Sequence, residues 1–161
     1  MFALFTPIFT FDYRHWAILD FISQRVSMDK QRIVIHYLDG RVLKGHTVNF
    51  NPSAPHFLLT PLDGEADKPP IVVELVNLKA IFFVKDFIGR RSYNEKKAFS
   101  AGLPYQGKKL RLTFRDSEVM YGSSPNYDAK ALGFFFFPAD PNANTIRMFV
   151  VNSALGLVQS M

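Results

Sequence analysis

The stretch "IVIHYLDGRVLKGHTVNFNPSAPHFLLTPLD" at residues 33–63 decides the fold, because it recurs. Displaced by 77 residues and without a gap, "LRLTFRDSEVMYGSSPNYDAKALGFFFFPAD" at 110–140 repeats its pattern. Identical pairs are Asp39/Asp116, Val42/Val119, Gly45/Gly122, Asn49/Asn126, Ala54/Ala131, Phe57/Phe134, Pro61/Pro138 and Asp63/Asp140. Similar pairs such as Tyr37/Phe114, Leu43/Met120 and Phe50/Tyr127 fill the spaces between them. After a two-residue shift the match resumes with Val76/Val151 and Asn77/Asn152. A fixed internal period of this kind marks a duplicated structural unit.

Each copy has the same plan. "RIVIHYL" and "KLRLTFR" alternate apolar and polar residues, the pattern of a half-buried strand. Tight turns follow at Asp39-Gly40 and Asp116-Ser117. The second strand runs through Gly45 or Gly122, the third is "HFLLT" or "GFFFF", and the fourth is "IVVELV" or "IRMFVV". A turn at Asn77 or Asn152 delivers the fifth, "AIFFV" or "LGLVQ". Five short strands bury one apolar face by curling into a small barrel, and such curling needs bends at glycines or bulges. Gly45 and Gly122 stand where that bend is needed.

The organisation read from the sequence is an N-terminal segment (1–28), a first barrel (29–88), a connector (89–107) and a second barrel (108–161). Trp16, Leu19, Ile22 and Val26 form one stripe of an amphipathic helix over 13–27, with Asp12 as its N-cap. Translation from Met28 is the alternative, which would leave residues 1–27 outside the native protein. The connector is expected to carry one helical turn at "YNEKKAF", residues 93–99.

Composition supports a β-rich fold. Hydrophobic residues make up 48% of the chain, with 17 Phe beside ten Pro and nine Gly, a mix suited to pleated surfaces rather than bundled helices. There is no cysteine, which excludes disulfide and thiol chemistry and fits a reducing cytoplasm. The apolar start "MFALFTPIFTF" is too short to span a bilayer and lacks the flanks of a signal peptide. The net charge of +5 is concentrated in one place. From Lys85 to Arg111 lie Lys85, Arg90, Arg91, Lys96, Lys97, Lys108, Lys109 and Arg111, against Asp86 and Glu95 alone. A basic stretch interleaved with Tyr93, Phe99 and Tyr105 suits phosphates held by cations while bases stack on rings.

"LDGRVLKGHTVNFN" at 38–51 resembles the first signature of the Sm-like family through Gly40, Gly45, Phe50 and Asn51. Copy two is similar at Gly122, Tyr127 and Asp128, with Ser117 in place of the turn glycine. The resemblance implies a mainly β protein of two tandem five-stranded Sm-like small barrels behind the N-terminal helix. It further implies nucleic-acid contacts in two loops per copy, at Asn51 and Asp128 in one and at Asn77, Lys79 and Asn152 in the other. Together with Arg90, Arg91, Lys96, Lys97, Lys108 and Lys109 of the connector, these residues make up the expected binding site. "LKAIFFVKDF" also resembles an uncharacterised bacterial domain met in signalling proteins, a resemblance that implies no assigned activity; the modest net charge and the Phe-rich strands leave a protein partner, as for a regulatory adaptor, as the alternative. A third, weaker resemblance joins Arg90-Arg91 and "RDSEVMYG" to the cyclic-dinucleotide pattern of the PilZ family, although Ser117 directly after Asp116 departs from its spacing.

Other constellations carry little chemistry. His36, His46 and His56 recur every ten residues, yet copy two has Thr113, Ser123 and Gly133 there, so no metal is expected. Asp39 and Asp116 sit at turns, and no nucleophile–base arrangement or phosphate-cradling loop appears. The sequence predicts a non-catalytic binding module without a cofactor. Family barrels associate edge to edge, so "AIFFV" is expected to pair with "RMFVV" inside the chain. Edges left free at the ends, where the sequence reading places Phe149, predict a homo-oligomer.

Overall fold

The computed structural model describes residues 30–62, 69–89, 92–100, 102 and 104–161. The expected N-terminal helix lies outside the described residues. Among these the fold is mainly β. The first copy supplies β1 (Gln31–Tyr37), β2 (Val42–Thr47), β3 (His56–Pro61), β4 (Ile71–Glu74) and β5 (Leu78–Val84). The second supplies β6 (Lys108–Phe114), β7 (Val119–Ser124), β8 (Gly133–Pro138), β9 (Thr145–Val151) and β10 (Leu155–Ser160). Single 3-10 turns at Leu75–Asn77 and Asn152–Ala154 join the fourth and fifth strands of each copy. Residues 93–99 hold no helical turn, contrary to the sequence expectation. Two groups from that segment, the Tyr93 hydroxyl and the Lys96 N–H, are instead tied to one carboxylate, that of Asp140.

All ten strands form one open antiparallel sheet in the order β10-β6-β7-β8-β9-β5-β1-β2-β3-β4. Each half has its strands in the order fifth, first, second, third, fourth. The displacement of 77 holds from end to end: Ile33 faces Phe83 and Leu110 faces Ser160, while His56 faces Glu74 and Gly133 faces Val151. The two-residue shift read near Asn77 is therefore corrected. Glu74 corresponds to Val151, Leu75 to Asn152 and Asn77 to Ala154, and the repeated Val-Asn pair is a coincidence of composition. Main-chain bonds outside the ladders obey the same displacement, as with Leu38 N–H to the Asn77 carbonyl and Arg115 N–H to the Ala154 carbonyl.

The glycine in each second strand has a direct cause. A Cβ on Gly45 would lie 2.3 Å from the Thr60 carbonyl oxygen, and one on Gly122 would lie 2.2 Å from that of Phe137. At this point the third strand changes neighbours: Thr60 and Pro61 pair with β2, while His56–Leu59 pair with β4. The backbone crossing that turns the sheet leaves no room for a side chain.

The sheet curls strongly. Phe50, after β2, contacts Phe57 of β3 at 5.4 Å and Phe135 of β8 at 6.1 Å between ring centroids. A flat sheet would separate β3 from β8 by five spacings of about 4.8 Å. Two apolar clusters result. One gathers Ile33, Phe57, Leu59, Leu75, Ile81 and Phe83 with Phe149 and Val151 of β9. The other gathers Leu110, Phe114, Phe134, Phe136 and Met148 with Ala80 of β5.

The expected pairing of "AIFFV" with "RMFVV" is present, with Ala80 opposite Val150, Ile81 opposite Phe149 and Phe82 opposite Met148. Side chains of β5 and β9 alternate between the two clusters, so both faces of these strands are covered. Their continuous apolar runs are what strands buried on two faces require. Phe149 is 1% exposed in this junction, which corrects its assignment to an outer edge.

Candidate functional site

The residues expected to bind nucleic acid fall into separate places. In the loops after β2 and β7, the Asn51 side-chain oxygen accepts the Ser53 N–H, and a carboxylate oxygen of Asp128 accepts the Lys130 N–H, each at 2.9 Å. These turns explain why an aromatic residue followed by Asn or Asp recurs: the polar side chain closes its own loop. Asn152 donates to the Asp128 and Ala131 carbonyls at 2.9 and 2.8 Å, bracing that loop from the end of β9. Asn77 donates to Glu74 at 3.0 Å. Asn152 and Asp128 are thus brought together, and all four side chains are engaged locally.

Lys79 is the residue whose role sequence reasoning missed. It is 8% exposed, and its ammonium group donates to Asp116 and Glu118 in the turn between β6 and β7 while lying 4.6 Å from the Phe114 ring centroid. A bulge aims it there: Tyr37 pairs with Leu78 and His36 with Ala80, leaving Lys79 between them without a partner in the ladder. Burial lowers the Lys79 pKa, but the bonds to Asp116 and Glu118 outweigh it and the net shift is upward. The bond from Lys79 holds Asp116 below its ordinary value. Beside this group, the His36 ring lies tilted against Phe82 at 4.5 Å between centroids, and burial lowers its pKa against the opposing pull of Glu118. The cluster ties the first half to the second.

The connector carries the remaining candidates. Arg90 and Arg91 lie outside the described residues. Lys96, Lys97, Lys108 and Lys109 are exposed. Lys109 sits 5.1 and 5.0 Å from the ring centroids of Phe99 and Tyr105, which meet edge to face. Lys96 and Lys97 face a cleft of about 350 Å³ shared with Glu95, Glu118, Tyr121 and Asp140. The Asp140 pKa is raised by burial but lowered more by bonds from the Lys96 N–H, the Tyr93 hydroxyl and the Asn142 N–H, for a net downward shift. Glu95 is pushed upward by burial and by the neighbouring negative charges of Asp140 and Glu118. Lys96 and Lys97 therefore stand among acids rather than forming a uniformly positive surface.

Among the described residues no group of His, Asp and Glu could hold a metal ion. His46 lies edge-on to Phe87 at 5.2 Å, and His56 pairs across the ladder with Glu74. No helix among the described residues is long and apolar enough to cross a membrane.

The ends of the sheet offer a different kind of site. Among the described residues β4 and β10 each have a strand on one side only. Val72 on β4 is 63% exposed and Leu157 on β10 is 50% exposed. Their counterparts in the junction, Phe149 and Ala80, are buried. Unpaired strand edges present a row of free N–H and C=O groups that a further strand can satisfy. The model of a family of unknown function, DUF6982, matches residues 29–161. No curated protein and no solved structure matches the chain.

Proposed function

The chain belongs to this family of unknown function, and on that premise we propose that it is a non-catalytic binding module that takes up partner strands along its sheet edges. In this reading the halves are tandem Sm-like barrels, a view supported by their shared strand order and by the curl around Phe50. One observation carries the proposal. The fold already contains such an added strand where β9 lies on β5, and the corresponding strands β4 and β10 keep apolar, one-sided edges. Strand addition of this kind draws affinity from main-chain bonds and specificity from alternate side chains. The test is binding of labelled peptides with the sequences of β5 (78–84) and β9 (145–151), followed by fluorescence anisotropy. Saturable binding that Val72→Lys or Leu157→Lys abolishes is expected. No binding by either peptide overturns the reading.

A second reading, single-stranded nucleic acid held by the connector, is favoured by Lys109 beside the Phe99 and Tyr105 rings, with the exposed Lys108 next to it in the chain. Replacing Lys96, Lys97, Lys108 and Lys109 by Ala would then weaken binding to all sequences alike. The salt slope would shrink by about 0.7 per lost phosphate contact. Absence of binding at low salt excludes this reading.

A further inference from the structure

We propose that Arg147, near the start of β9, is the receptor for a carboxylate, a binding site that lies away from the sheet edges and does not depend on strand addition.

The backbone sets this residue apart. β9 carries a bulge: Phe83 pairs with Arg147 and Val84 with Thr145, so Ile146 between them has no partner in the ladder. On the other side β8 pairs with β9 only as far as Phe136 and Met148, and Phe137 has turned to Ser123 of β7. Among the described residues Arg147 therefore has a ladder neighbour on β5 alone. The corresponding position of the first copy is Pro70, so the repeat itself does not require a cation here.

The Arg147 side chain is half-buried. Its guanidinium carbon lies 4.6 Å from the centroid of the Phe83 ring and 4.9 Å from that of Phe135, and the two centroids are 6.3 Å apart. These distances set the rings at about a right angle as seen from the cation, so both lie to one side of it. Ring faces attract the positive charge. They do not supply the oxygen acceptors that a fork of five N–H donors takes.

Every other described arginine has such an acceptor. Arg32 donates to the Lys85 carbonyl, Arg41 to Asp39, Arg111 to Tyr121 and Gln159, and Arg115 to the Leu155 carbonyl. Arg147 makes no hydrogen bond and no ion pair among the described residues. The acids that flank β5 and β9 in the chain are taken. Asp86 accepts the Ile88 and Gly89 N–H groups, and Asp140 accepts from Tyr93, Lys96 and Asn142. A partly desolvated guanidinium left without an anion gains most from one that comes from outside the chain.

A carboxylate matches this receptor in shape and charge. Its two oxygens lie in one plane and take two parallel N–H donors of the fork, and its single charge balances a single cation. A nucleotide fits less well. Phe50 packs on Phe57, Phe83, Phe135 and Phe149, so these rings are engaged with one another rather than free to stack on a base. The carboxylate can belong to a free organic acid or to an acidic side chain of a protein, and the two sources are separated by titrating each.

The test uses NMR of the nitrogen-labelled full-length protein at mildly acidic pH, where carboxylates stay charged and the Arg147 Nε–H exchanges slowly. Its resonance is the one missing from both Arg147→Lys and Arg147→Gln. Sodium acetate and a short acetylated, amidated peptide holding one glutamate are titrated separately, with ionic strength held constant by sodium chloride. A saturable downfield shift of the Nε–H resonance with at least one of them is expected, together with shifts of the Phe83 and Ile146 amides. Saturation by acetate shows that a free acid suffices, and saturation by the peptide alone assigns the carboxylate to a protein. Arg147→Lys keeps the charge and most of the stem but lacks the planar fork, and it should raise the midpoint of the amide shifts about tenfold or more. No saturable shift with either ligand, or an equal shift with sodium chloride alone, overturns the site. An unchanged midpoint in Arg147→Lys overturns the fork as the receptor. Tighter saturation by inorganic phosphate at the same ionic strength overturns the carboxylate in favour of a phosphorylated ligand.

Discussion

β5 and β10 are the same strand of the repeat in two settings. β5 lies between β1 and β9, contributes to both apolar clusters and is buried almost throughout. Among the described residues β10 borders β6 alone, and it is mostly exposed. Where β5 reads Leu-Lys-Ala-Ile-Phe-Phe-Val, β10 reads Leu-Gly-Leu-Val-Gln-Ser. Aromatic bulk follows the second buried face, since a side chain that gains a second layer of neighbours repays its size in area removed from water. β9 and β4 differ in the same way, with Met148 and Phe149 standing where β4 has Ile71 and Val72. The duplicated unit is one backbone plan filled twice, and its side chains record which edges are joined.

The largest expected effect tests that contrast directly. Phe149→Ala should cost about 3–5 kcal/mol in chemical denaturation, as for a buried aromatic in a core. Val72→Ala at the corresponding edge position should stay within about 0.5 kcal/mol. Equal costs would mean that the junction is no better packed than the free edge.

Next come the crossing points, where the halves should behave alike. Gly45→Ala and Gly122→Ala each force a methyl group onto a backbone carbonyl and should cost about 1–3 kcal/mol or more. A loss confined to one of them would break the equivalence of the two bends.

A smaller effect separates the first turns of the two copies. Gly40 has φ 87°, and Ser117 holds the same left-handed conformation at φ 69°. Ser117→Gly should stabilise by roughly 0.5–1 kcal/mol, because relief of left-handed strain exceeds the added freedom of the unfolded chain. Gly40→Ser should destabilise by a similar amount.

The last effect is visible only as a slope. Burial holds the His36 pKa below 6.5 in the folded chain, so the unfolded chain binds the proton more readily. Its contribution is present above the unfolded pKa and is lost as pH falls through the folded one. Melting temperature should therefore decline on going from pH 7 to 5. His36→Thr, the residue of the second copy at Thr113, should flatten that decline.

The strands were legible because alternation and a gapless repeat locate them twice over, and the first three strands of each copy align residue for residue. The β5–β9 pairing was legible through the edge-to-edge association of the family that the sequence resembles, and the apolar run "AIFFV" meets what a strand covered on both faces requires. The charged cluster was not. Lys79 resembles an exposed loop cation, and its partners Asp116 and Glu118 are far away in the chain. The local clue was the exchange of Arg41 for Glu118 between otherwise similar turns, which becomes readable once Gly156 is known to replace Lys79. The shift near Asn77 misled because a two-letter identity outweighed backbone length. The ladders and the 3-10 turns keep the displacement of 77 on both sides of Asn77, so a shift of two residues would displace the turn between the fourth and fifth strands.

The strand order also fixes a timetable. β5 is complete before the connector and β6 to β8 are made, and its partner β9 comes only after them. At about 5–20 residues per second, a nascent chain holds the apolar edge of β5 open for several seconds before its own β9 exists. In a polysome, a neighbouring chain further along presents a β9 of the same sequence during that interval. A folding factor that shields one strand for those seconds would decide whether the halves join within a molecule or between two.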